Sequence, residues 1–216
     1  MLRRWIPTAA TTGLRPFQSF FPDMLWRVDT DRREVYLTFD DGPTTALTDD
    51  LLDLLAAYDA RATCFLIGHH VEEHPDLARA IHRAGHTVGN HTYTHLDAWT
   101  SPQDAVRTQL SRTTMELEDL LGTRVRFMRP PYGHPTGAMR TWCAERQQRM
   151  VMWDVMPGDF LKTATAEQVA SFVLDKVRPG SVVVLHDNPI CEGVTLPALE
   201  TILSTLDRDG WTFNAL

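Results

Sequence analysis

Short apolar segments alternate with amphipathic segments along most of the chain. The apolar segments have the length of buried strands, whereas the amphipathic ones place apolar residues three or four positions apart, as on one face of a helix. We therefore predict strands at 34–40, 62–67, 86–90, 125–128, 150–155, 182–185 and 211–213. We predict helices at 48–58, 75–84, 102–121, 136–146, 166–177 and 196–209, with Ser101 capping the third of them and Gly122 ending it.

This alternation favours an α/β fold in which helices cover parallel strands. The chain of 216 residues accommodates about seven such units, fewer than the eight of a complete barrel, and an open doubly wound sheet is the alternative. Residues 34–216 are predicted to form one domain. Residues 1–33 are predicted to form an N-terminal arm packed on it, because its large apolar residues repeat roughly at helical spacing: Phe17, Phe20, Phe21, Leu25 and Trp26.

The composition narrows the class of protein. The formal net charge of −7 argues against broad neutralisation of phosphates, so we expect no nucleic-acid partner. The three cysteines are widely spaced, which favours neither a disulfide framework nor a cysteine zinc site. We expect no membrane span, since no run approaches the ~20 apolar residues that a spanning helix needs. No signal peptide is evident, so a cytoplasmic location is slightly favoured and action at the cell surface is the alternative.

Five polar clusters follow the predicted strands, at the ends where catalytic residues gather in parallel α/β proteins. The first is the pair Asp40 and Asp41, whose adjacent carboxylates need a partner or a metal ion if they are buried. Because successive strand residues point to opposite faces, one aspartate could hold an ion while the other stays free for proton transfer. The other clusters lie at 90–95, 129–133, 154–159 and 186–188.

The second cluster contains His91 and His95, four residues apart. On a helical turn this spacing brings both imidazoles to one face, as in many zinc sites. Together with an upstream aspartate they would form a site of two histidines and one carboxylate. Such a site leaves a position open for water, which is typical of a catalytic rather than a structural metal.

Five motifs in order give the chain a resemblance to the polysaccharide deacetylase family, which includes chitin-oligosaccharide and peptidoglycan deacetylases. The resemblance extends over roughly residues 36–210. The matching segments are T-F-D-D-G-P at 38–43, H-T-Y-T-H at 91–95, R-P-P-Y-G at 129–133, V-V-V-L-H-D at 182–187 and, more loosely, 153–160.

This resemblance implies a distorted (β/α) barrel of about seven units, with residues 34–216 as its catalytic domain. It implies a metal-dependent hydrolase of carbon–nitrogen bonds other than peptide bonds, in which a metal-bound water attacks. Such an enzyme would remove N-acetyl groups from N-acetylglucosamine-containing glycans, either chitin oligosaccharide or peptidoglycan. Asp41, His91 and His95 would bind the metal, usually zinc, with another divalent transition metal as the alternative.

The resemblance also implies the residues of proton transfer. Asp40 would be the general base and His186 the general acid. Arg129 would hold Asp40, and Asp159 would pair with the far ring nitrogen of His186. The backbone N–H of Tyr132 would join the metal in stabilising the oxyanion.

Four residues are expected to contact substrate: Tyr132, Pro131, Phe160 and Val184. Two of them depart from the family pattern, since Phe160 stands where a tryptophan is usual and Val184 where a leucine is usual. The acyl pocket would therefore stay apolar but change its shape.

Three other residues have alternative interpretations. Asp154 is the alternative to Asp159 as the partner of His186. His134 directly follows the Tyr132 loop and could touch substrate, or it could be solvated. Trp99 could stack on a sugar, or it could belong to the core or to a lid.

Two other functions are weighed against the glycan deacetylase. A small-molecule amidase or deacetylase on the same scaffold would act on a small N-acetylated substrate, and the absence of an evident carbohydrate-binding module in the sequence favours it. A non-catalytic glycan-binding protein is the third interpretation, and the complete set of motif residues argues against it.

Overall fold

Eight parallel strands and the helices between them make up residues 21–216, the part of the chain that the computed structural model describes. The strands are β1 (Met24–Leu25), β2 (Glu34–Asp40), β3 (Ala62–Leu66), β4 (Thr87–Asn90), β5 (Phe127–Met128), β6 (Arg149–Val151), β7 (Ser181–His186) and β8 (Thr212–Phe213). The helices are α1 (Thr48–Ala57), α2 (Gly68–Glu73), α3 (Pro75–Arg83), α4 (Gln103–Leu121), α5 (Gly137–Arg146), α6 (Ala166–Lys176) and α7 (Glu192–Arg208). Short 3₁₀ turns lie at Pro131–Gly133 and Pro189–Cys191.

The strands form a barrel whose two ends are joined irregularly. Their order is β1-β6-β5-β4-β3-β2-β7, and β8 pairs with the start of β2. No ladder joins β1 to β7 in this described sheet. Instead, Val28 N–H donates to the Gly180 carbonyl oxygen at 2.9 Å, and Val155 bridges to Val183. The predicted distorted (β/α) barrel of about seven units is confirmed, rather than the open doubly wound sheet.

Most predicted elements are present with shifted boundaries, and β1 and α2 are additions. Two residues cannot show a period, and α2 contains Val71 as its one apolar side chain besides glycine, so no pattern predicts either element. Strand β6 ends at Val151, earlier than the predicted 155, because the following residues turn to contact β7.

Three helix starts differ from the prediction, and that of α5 moves by one residue, from 136 to Gly137. Pro102, not Ser101, is the N-cap of α4, and no side chain caps this helix. Helix α7 begins at Glu192 rather than at 196, so Pro197 lies inside it. Proline is most favoured in the first turn of a helix, yet Pro197 lies in the second turn of α7. The preceding 3₁₀ turn, capped by the Asn188 side chain, leads directly into α7 instead.

The described part of the predicted N-terminal arm contains a strand and no helix. Met24 and Leu25 pair with Met150 and Val151 of β6, so they belong to the sheet. The helical spacing is therefore not realised within residues 21–33. Phe17 and Phe20 lie outside the described residues, and an arm over residues 1–33 stays a prediction.

Alternation along β2 separates the main core from the inside of the barrel. Val35, Leu37 and Phe39 are fully buried in the cluster that packs against the helices. The residues between them face the other way. Thr38 and Asp40 both contact the same buried arginine there, so the inner face carries polar groups.

The inside of the barrel is closely filled beneath the carboxyl ends of the strands. Phe65 occupies it, and a Cβ on Gly89 would lie 2.6 Å from the Phe65 ring, so only glycine permits this approach. The Arg129 guanidinium, which is fully buried, lies 4.3 Å from the Phe65 ring centroid. Among the described residues, the space for a ligand lies at the carboxyl end of the barrel.

The carboxyl ends of the strands lie at one level. Asp40 is the register partner of His186 on β7 and of Phe65 on β3, and Asn90 on β4 is the partner of Met128 on β5. The polar clusters that follow these strands consequently converge. Among the described helices, none is both long and apolar enough to span a membrane.

Candidate active site

A cavity of about 550 Å³ opens at the carboxyl ends of the strands. Most of the predicted site residues line it: Asp40, Asp41, His91, His95, Tyr132, Phe160, Val184 and His186. The rest of the lining comes from Trp26, Trp99, Pro130, Gly133, His134, Met152, Trp153 and Met156. Arg129, Pro131 and Asp159 lie behind this lining.

Arg129 holds Asp40 from inside the barrel. Its Nη1 donates to Asp40 Oδ1 and to Thr38 Oγ1, both at 2.7 Å. Its Nη2 and Nε donate to the carbonyl oxygens of Met152 and Val151 at 2.8 and 3.2 Å. Burial lowers the pKa of Arg129, and the Asp40 carboxylate opposes this shift. The arrangement fixes one oxygen of Asp40 and leaves Oδ2 free of Arg129.

Asp41 leaves the strand conformation, with φ at 77° in the left-handed region that aspartate tolerates better than most residues. Its carboxylate therefore lies on the same side as that of Asp40. Asp41 Oδ1 and Asp40 Oδ2 are 3.6 and 4.0 Å from His91 Nε2. The expectation that alternation turns the two carboxylates to opposite faces is wrong, and their different partners distinguish them instead.

Two residues that the sequence reasoning missed hold Asp41. Asn188 Nδ2 donates to Asp41 Oδ2 at 3.1 Å, and His70 Nδ1 donates to the Asp41 backbone oxygen at 2.7 Å. Asp41 Oδ1 is buried and has no hydrogen-bond partner among the described residues. The position of Asn188 directly after the motif pair at 186–187 was the available signal, whereas His70 lies on the unpredicted helix α2.

The two histidines converge on the oxygen of Asp41 that lacks a donor. His91 Nε2 and His95 Nε2 lie 3.6 and 3.3 Å from Asp41 Oδ1. They do not lie on a helical turn, as the spacing argument assumed. The segment is an irregular loop in which Thr92 and His95 have φ values of 64° and 56°.

Side chains at the end of β4 and on α4 support this loop. Gln109 Oε1 accepts from the N–H groups of Tyr93 and Thr94 at 2.8 and 2.7 Å. Asn90 Oδ1 accepts from Thr92 N–H at 2.7 Å. Sequence reasoning missed Gln109, because a polar residue on an amphipathic helix usually faces solvent.

The chemistry of the cluster fits a divalent metal ion. His91 donates its Nδ1 proton to the Arg129 carbonyl oxygen at 2.8 Å, so a lone pair remains on Nε2. Burial lowers the pKa of His91 to about 3, which keeps the ring neutral. This lone pair therefore faces an unpartnered carboxylate oxygen, and a cation satisfies both. Ligand atoms of Asp41, His91 and His95 lie within 4.8 Å of one another, close enough to hold one ion.

His186 and Asp159 form a buried pair beside this cluster. His186 Nδ1 donates to Asp159 Oδ1 at 2.8 Å, while His186 N–H and Thr195 Oγ1 donate to Asp159 Oδ2 at 2.8 and 2.7 Å. Burial by itself lowers the pKa of His186, but Asp159, together with Asp40 and Asp41, raises it to about 9. At neutral pH the ring therefore carries a proton on each nitrogen.

Asp154 has a different position from the one considered as an alternative. It accepts from Val182 N–H at 2.9 Å, from Ser181 Oγ at 3.1 Å and from Arg178 Nε at 3.3 Å. These bonds tie the segment after β6 to the start of β7. Asp159, not Asp154, is thus the carboxylate in contact with His186.

The proline-rich loop places Tyr132 at the mouth of the cavity. Pro130 and Pro131 have no N–H, so Tyr132 carries the first N–H after Arg129. Tyr132 has φ of 58°, and its exposed ring packs edge-on against His95 with centroids 4.5 Å apart. Pro131 is buried beneath this turn.

An apolar wall completes the cavity next to His186. The Phe160 ring packs edge-on against the imidazole with centroids 4.9 Å apart, and Val184 is buried on β7. Met152 and Met156 join this wall. The sequence did not indicate either methionine, since a methionine near a strand is usually a core residue.

A cation site beside a held carboxylate and a protonated histidine, at the carboxyl end of a (β/α) barrel, defines the class of metal-dependent hydrolases. Comparison with known proteins specifies the class further. The profile described as polysaccharide deacetylase matches residues 27–151, and the chain belongs to this family.

Relatives cover most of the chain. It is 35% identical over 188 residues to a peptidoglycan-N-acetylglucosamine deacetylase of Bacillus cereus, and the aligned region covers 86% of this chain and 68% of the relative. It is 33% identical over 199 residues to a chitooligosaccharide deacetylase of Rhizobium leguminosarum bv. trifolii, and the aligned region covers 87% of this chain and 92% of the relative. The crystal structure of the Bc1960 peptidoglycan N-acetylglucosamine deacetylase superposes with a TM-score of 0.87 at 33% identity, over 93% of this chain and 94% of that one.

Proposed function

We propose that this chain is a zinc-dependent N-deacetylase that removes acetyl groups from N-acetylglucosamine units of a glycan, either chitin oligosaccharide or peptidoglycan. The observation that carries the proposal is the position of Asp40 and His186. They are register partners on β2 and β7, and both line the cavity that contains the Asp41–His91–His95 cluster. A base and an acid at one site are what amide hydrolysis requires. The names of the two relatives support the glycan as substrate.

Asp41, His91 and His95 would hold the metal. Two imidazoles and a carboxylate suit zinc, and other divalent transition metals accept the same donors. When bound, the ion would polarise the acyl oxygen and lower the pKa of a coordinated water toward ~7.

The protein's own groups would then move the protons. Asp40 would accept a proton from the attacking water, because Arg129 occupies only one of its oxygens. The Tyr132 N–H would donate to the oxyanion that forms at the acyl oxygen. His186 would deliver its proton to the leaving nitrogen as the C–N bond breaks, which yields acetate and a free amine.

The apolar wall would accept the methyl group of the acyl substituent. Phe160, Val184 and Met152 offer no hydrogen-bond donor in their side chains, so a small apolar acyl group is favoured there. Acetyl is the acyl group that we propose.

Acetate release by zinc-loaded protein from chitin oligosaccharides and from peptidoglycan tests the proposal. We expect release that a chelator abolishes and that added zinc restores. With zinc bound, a failure to release acetate from every N-acetylated sugar or amine would contradict it.

A small N-acetylated molecule is the second candidate substrate. The cavity of about 550 Å³ lies within the range of roughly 300–1,000 Å³ that is usual for sites enclosing small ligands. A higher kcat/KM on acetylated polyamines than on any glycan would favour it, as would a cytoplasmic location of the native protein, whereas a cell-surface location would favour the glycan. Sugar binding without acetate release would instead indicate a non-catalytic glycan-binding protein.

A further inference from the structure

An exposed tryptophan is held in a fixed orientation at the rim of the cavity. Trp99 is 64% exposed although it lines the cavity. Its ring stacks on the His134 ring, with centroids 3.7 Å apart and planes 2° from parallel. Its Nε1 donates to the Pro135 carbonyl oxygen at 3.1 Å. A large aromatic ring that is both held and exposed offers a rigid apolar face to a ligand.

Asp97 fixes both members of this stack. Its Oδ1 accepts from His134 Nδ1 at 2.8 Å and from Trp99 N–H at 3.0 Å. Asp97 and Trp99 lie in the loop after β4, and His134 lies in the loop after β5. One carboxylate thus ties together the two loops that also carry His95 and Tyr132.

A run of aromatic rings leads from the metal cluster to the stack. The Tyr132 centroid is 4.5 Å from that of His95 and 5.8 Å from that of His134. Trp99 follows His134 in this run. Trp99 lines the same cavity as His95, but the rings of Tyr132 and His134 lie between them. Trp99 therefore lies where a neighbouring unit of a bound polymer would extend.

We propose that Trp99, supported by His134 and Asp97, binds the N-acetylhexosamine unit next to the one that is deacetylated. This inference rests on the proposed glycan deacetylase function. A pyranose ring has a flat face of C–H groups, which the negatively polarised face of an indole attracts. Its hydroxyl groups point outward at the ring edge and stay in water, which suits the high exposure of Trp99.

The dependence of kcat/KM on oligosaccharide length tests the proposal. Zinc-loaded wild type, Trp99→Ala and Trp99→Phe would be assayed on N-acetylglucosamine and on chitin oligosaccharides of increasing length. In Trp99→Ala, we expect the ratio of kcat/KM on longer oligosaccharides to kcat/KM on the monomer to fall about tenfold, mainly through a higher KM. The loss of one aromatic contact predicts a change of this size. Trp99→Phe should keep most of this advantage, because it retains a ring.

Met115→Ala is the matched control, since Met115 is an exposed apolar residue of α4 outside the cavity lining. Melting temperature and circular dichroism would verify that each variant folds. A folded Trp99→Ala protein with the length dependence of the wild type would overturn the proposal.

A binding measurement separates this inference from the proposed function. Calorimetry would measure oligosaccharide affinity in the Asp40→Asn variant and in the double variant Asp40→Asn/Trp99→Ala. We expect the double variant to bind about tenfold more weakly than the single variant. Trp99-dependent binding without acetate release from the wild type would contradict the proposed function alone. Equal affinities of the two variants, or no binding by either, would contradict the role of Trp99.

Discussion

Asp40 and Asp41 are neighbours in the chain, yet different groups hold them. Arg129 binds one oxygen of Asp40 from the filled interior of the barrel. Asn188 binds one oxygen of Asp41 from the loop after β7, and the other oxygen points at two histidine nitrogens. Each aspartate therefore keeps one oxygen available, which suits the proposed proton transfer by Asp40 and the proposed metal binding by Asp41.

Asn188→Ala should weaken zinc binding by roughly 10–100-fold. Asn188 orients Asp41 through a hydrogen bond to Oδ2, and the loss of such a partner of a metal ligand typically has this effect. Titration of zinc against a competing chelator measures it. Asn214→Ala is the matched control, since the Asn214 amide contacts Thr212 near the C-terminus. An unchanged zinc affinity in Asn188→Ala would show that the bond does not position the ligand.

Activity should fall as the pH rises past the pKa of His186, because only the protonated ring can deliver a proton. Burial lowers this pKa, but the neighbouring carboxylates raise it to about 9. A cation bound to Asp41 would offset the contribution of this carboxylate to the raised pKa of His186. The alkaline limb, in which activity falls, should therefore have its midpoint at or below about pH 9. Asp159→Asn removes the largest raising contribution and should move the limb to lower pH.

The pH profile of kcat/KM for the two proteins checks this prediction. Asp175→Asn, at an exposed aspartate of α6, should leave the limb in place. An alkaline limb at the same pH in Asp159→Asn and in the wild type would mean that His186 is not the acid.

The loop after β4 takes its shape from a helix far away in the chain. Gln109 of α4 accepts from two N–H groups of this loop, and left-handed residues at 92 and 95 turn the histidines toward Asp41. The positions of the two histidines therefore depend on α4 as well as on the loop that carries them.

Gln109→Ala should lower both the stability and the zinc affinity. The lost hydrogen bonds are worth about 1–3 kcal/mol, and each kcal/mol lowers the Tm of a domain of this size by roughly 2–4 °C. Thermal unfolding with and without zinc would measure it. Gln103→Ala, at the exposed start of the same helix, is the control. If both variants behave alike, the loop does not depend on Gln109.

Strands and helices were predictable where a period extends over several residues, as in β2 and α4. The backbone at Asp41, Thr92 and His95 was not, because a left-handed conformation of a non-glycine residue leaves no mark in the hydrophobic pattern. The motif spacing pointed to the correct histidines for a reason that the structure does not support. Local spacing identified the residues, and long-range hydrogen bonds determine their geometry.

The filled interior decides which end of the barrel a substrate can enter. Gly89→Ala should destabilise the protein by about 1–3 kcal/mol, because the new Cβ would lie 2.6 Å from the Phe65 ring beneath the buried Arg129. Gly193→Ala is the control, since nothing lies within 4 Å of a Cβ there in α7 and alanine favours a helix. Urea unfolding would compare them, and equal stabilities would argue against a tightly filled barrel.

The number of units in the barrel could be predicted from the alternation of elements, but its closure could not. The ends of the sheet are joined by strand β1, which has only two residues, and by single hydrogen bonds such as the one between Val28 and Gly180. The contact between Val28 and Gly180 requires glycine at 180, because a Cβ there would overlap the Val28 carbonyl oxygen, but a glycine does not indicate which distant backbone group approaches it. The stack of Trp99 on His134 likewise joins two loops that the sequence separates.

The rate of acetate release by the zinc-loaded Asp40→Asn variant decides whether the two aspartates divide metal binding and proton transfer. We predict a rate at least ~10²-fold below that of the wild type, with zinc still bound, because the base is lost while the metal ligands Asp41, His91 and His95 remain. A variant that binds zinc and releases acetate as fast as the wild type would contradict this account.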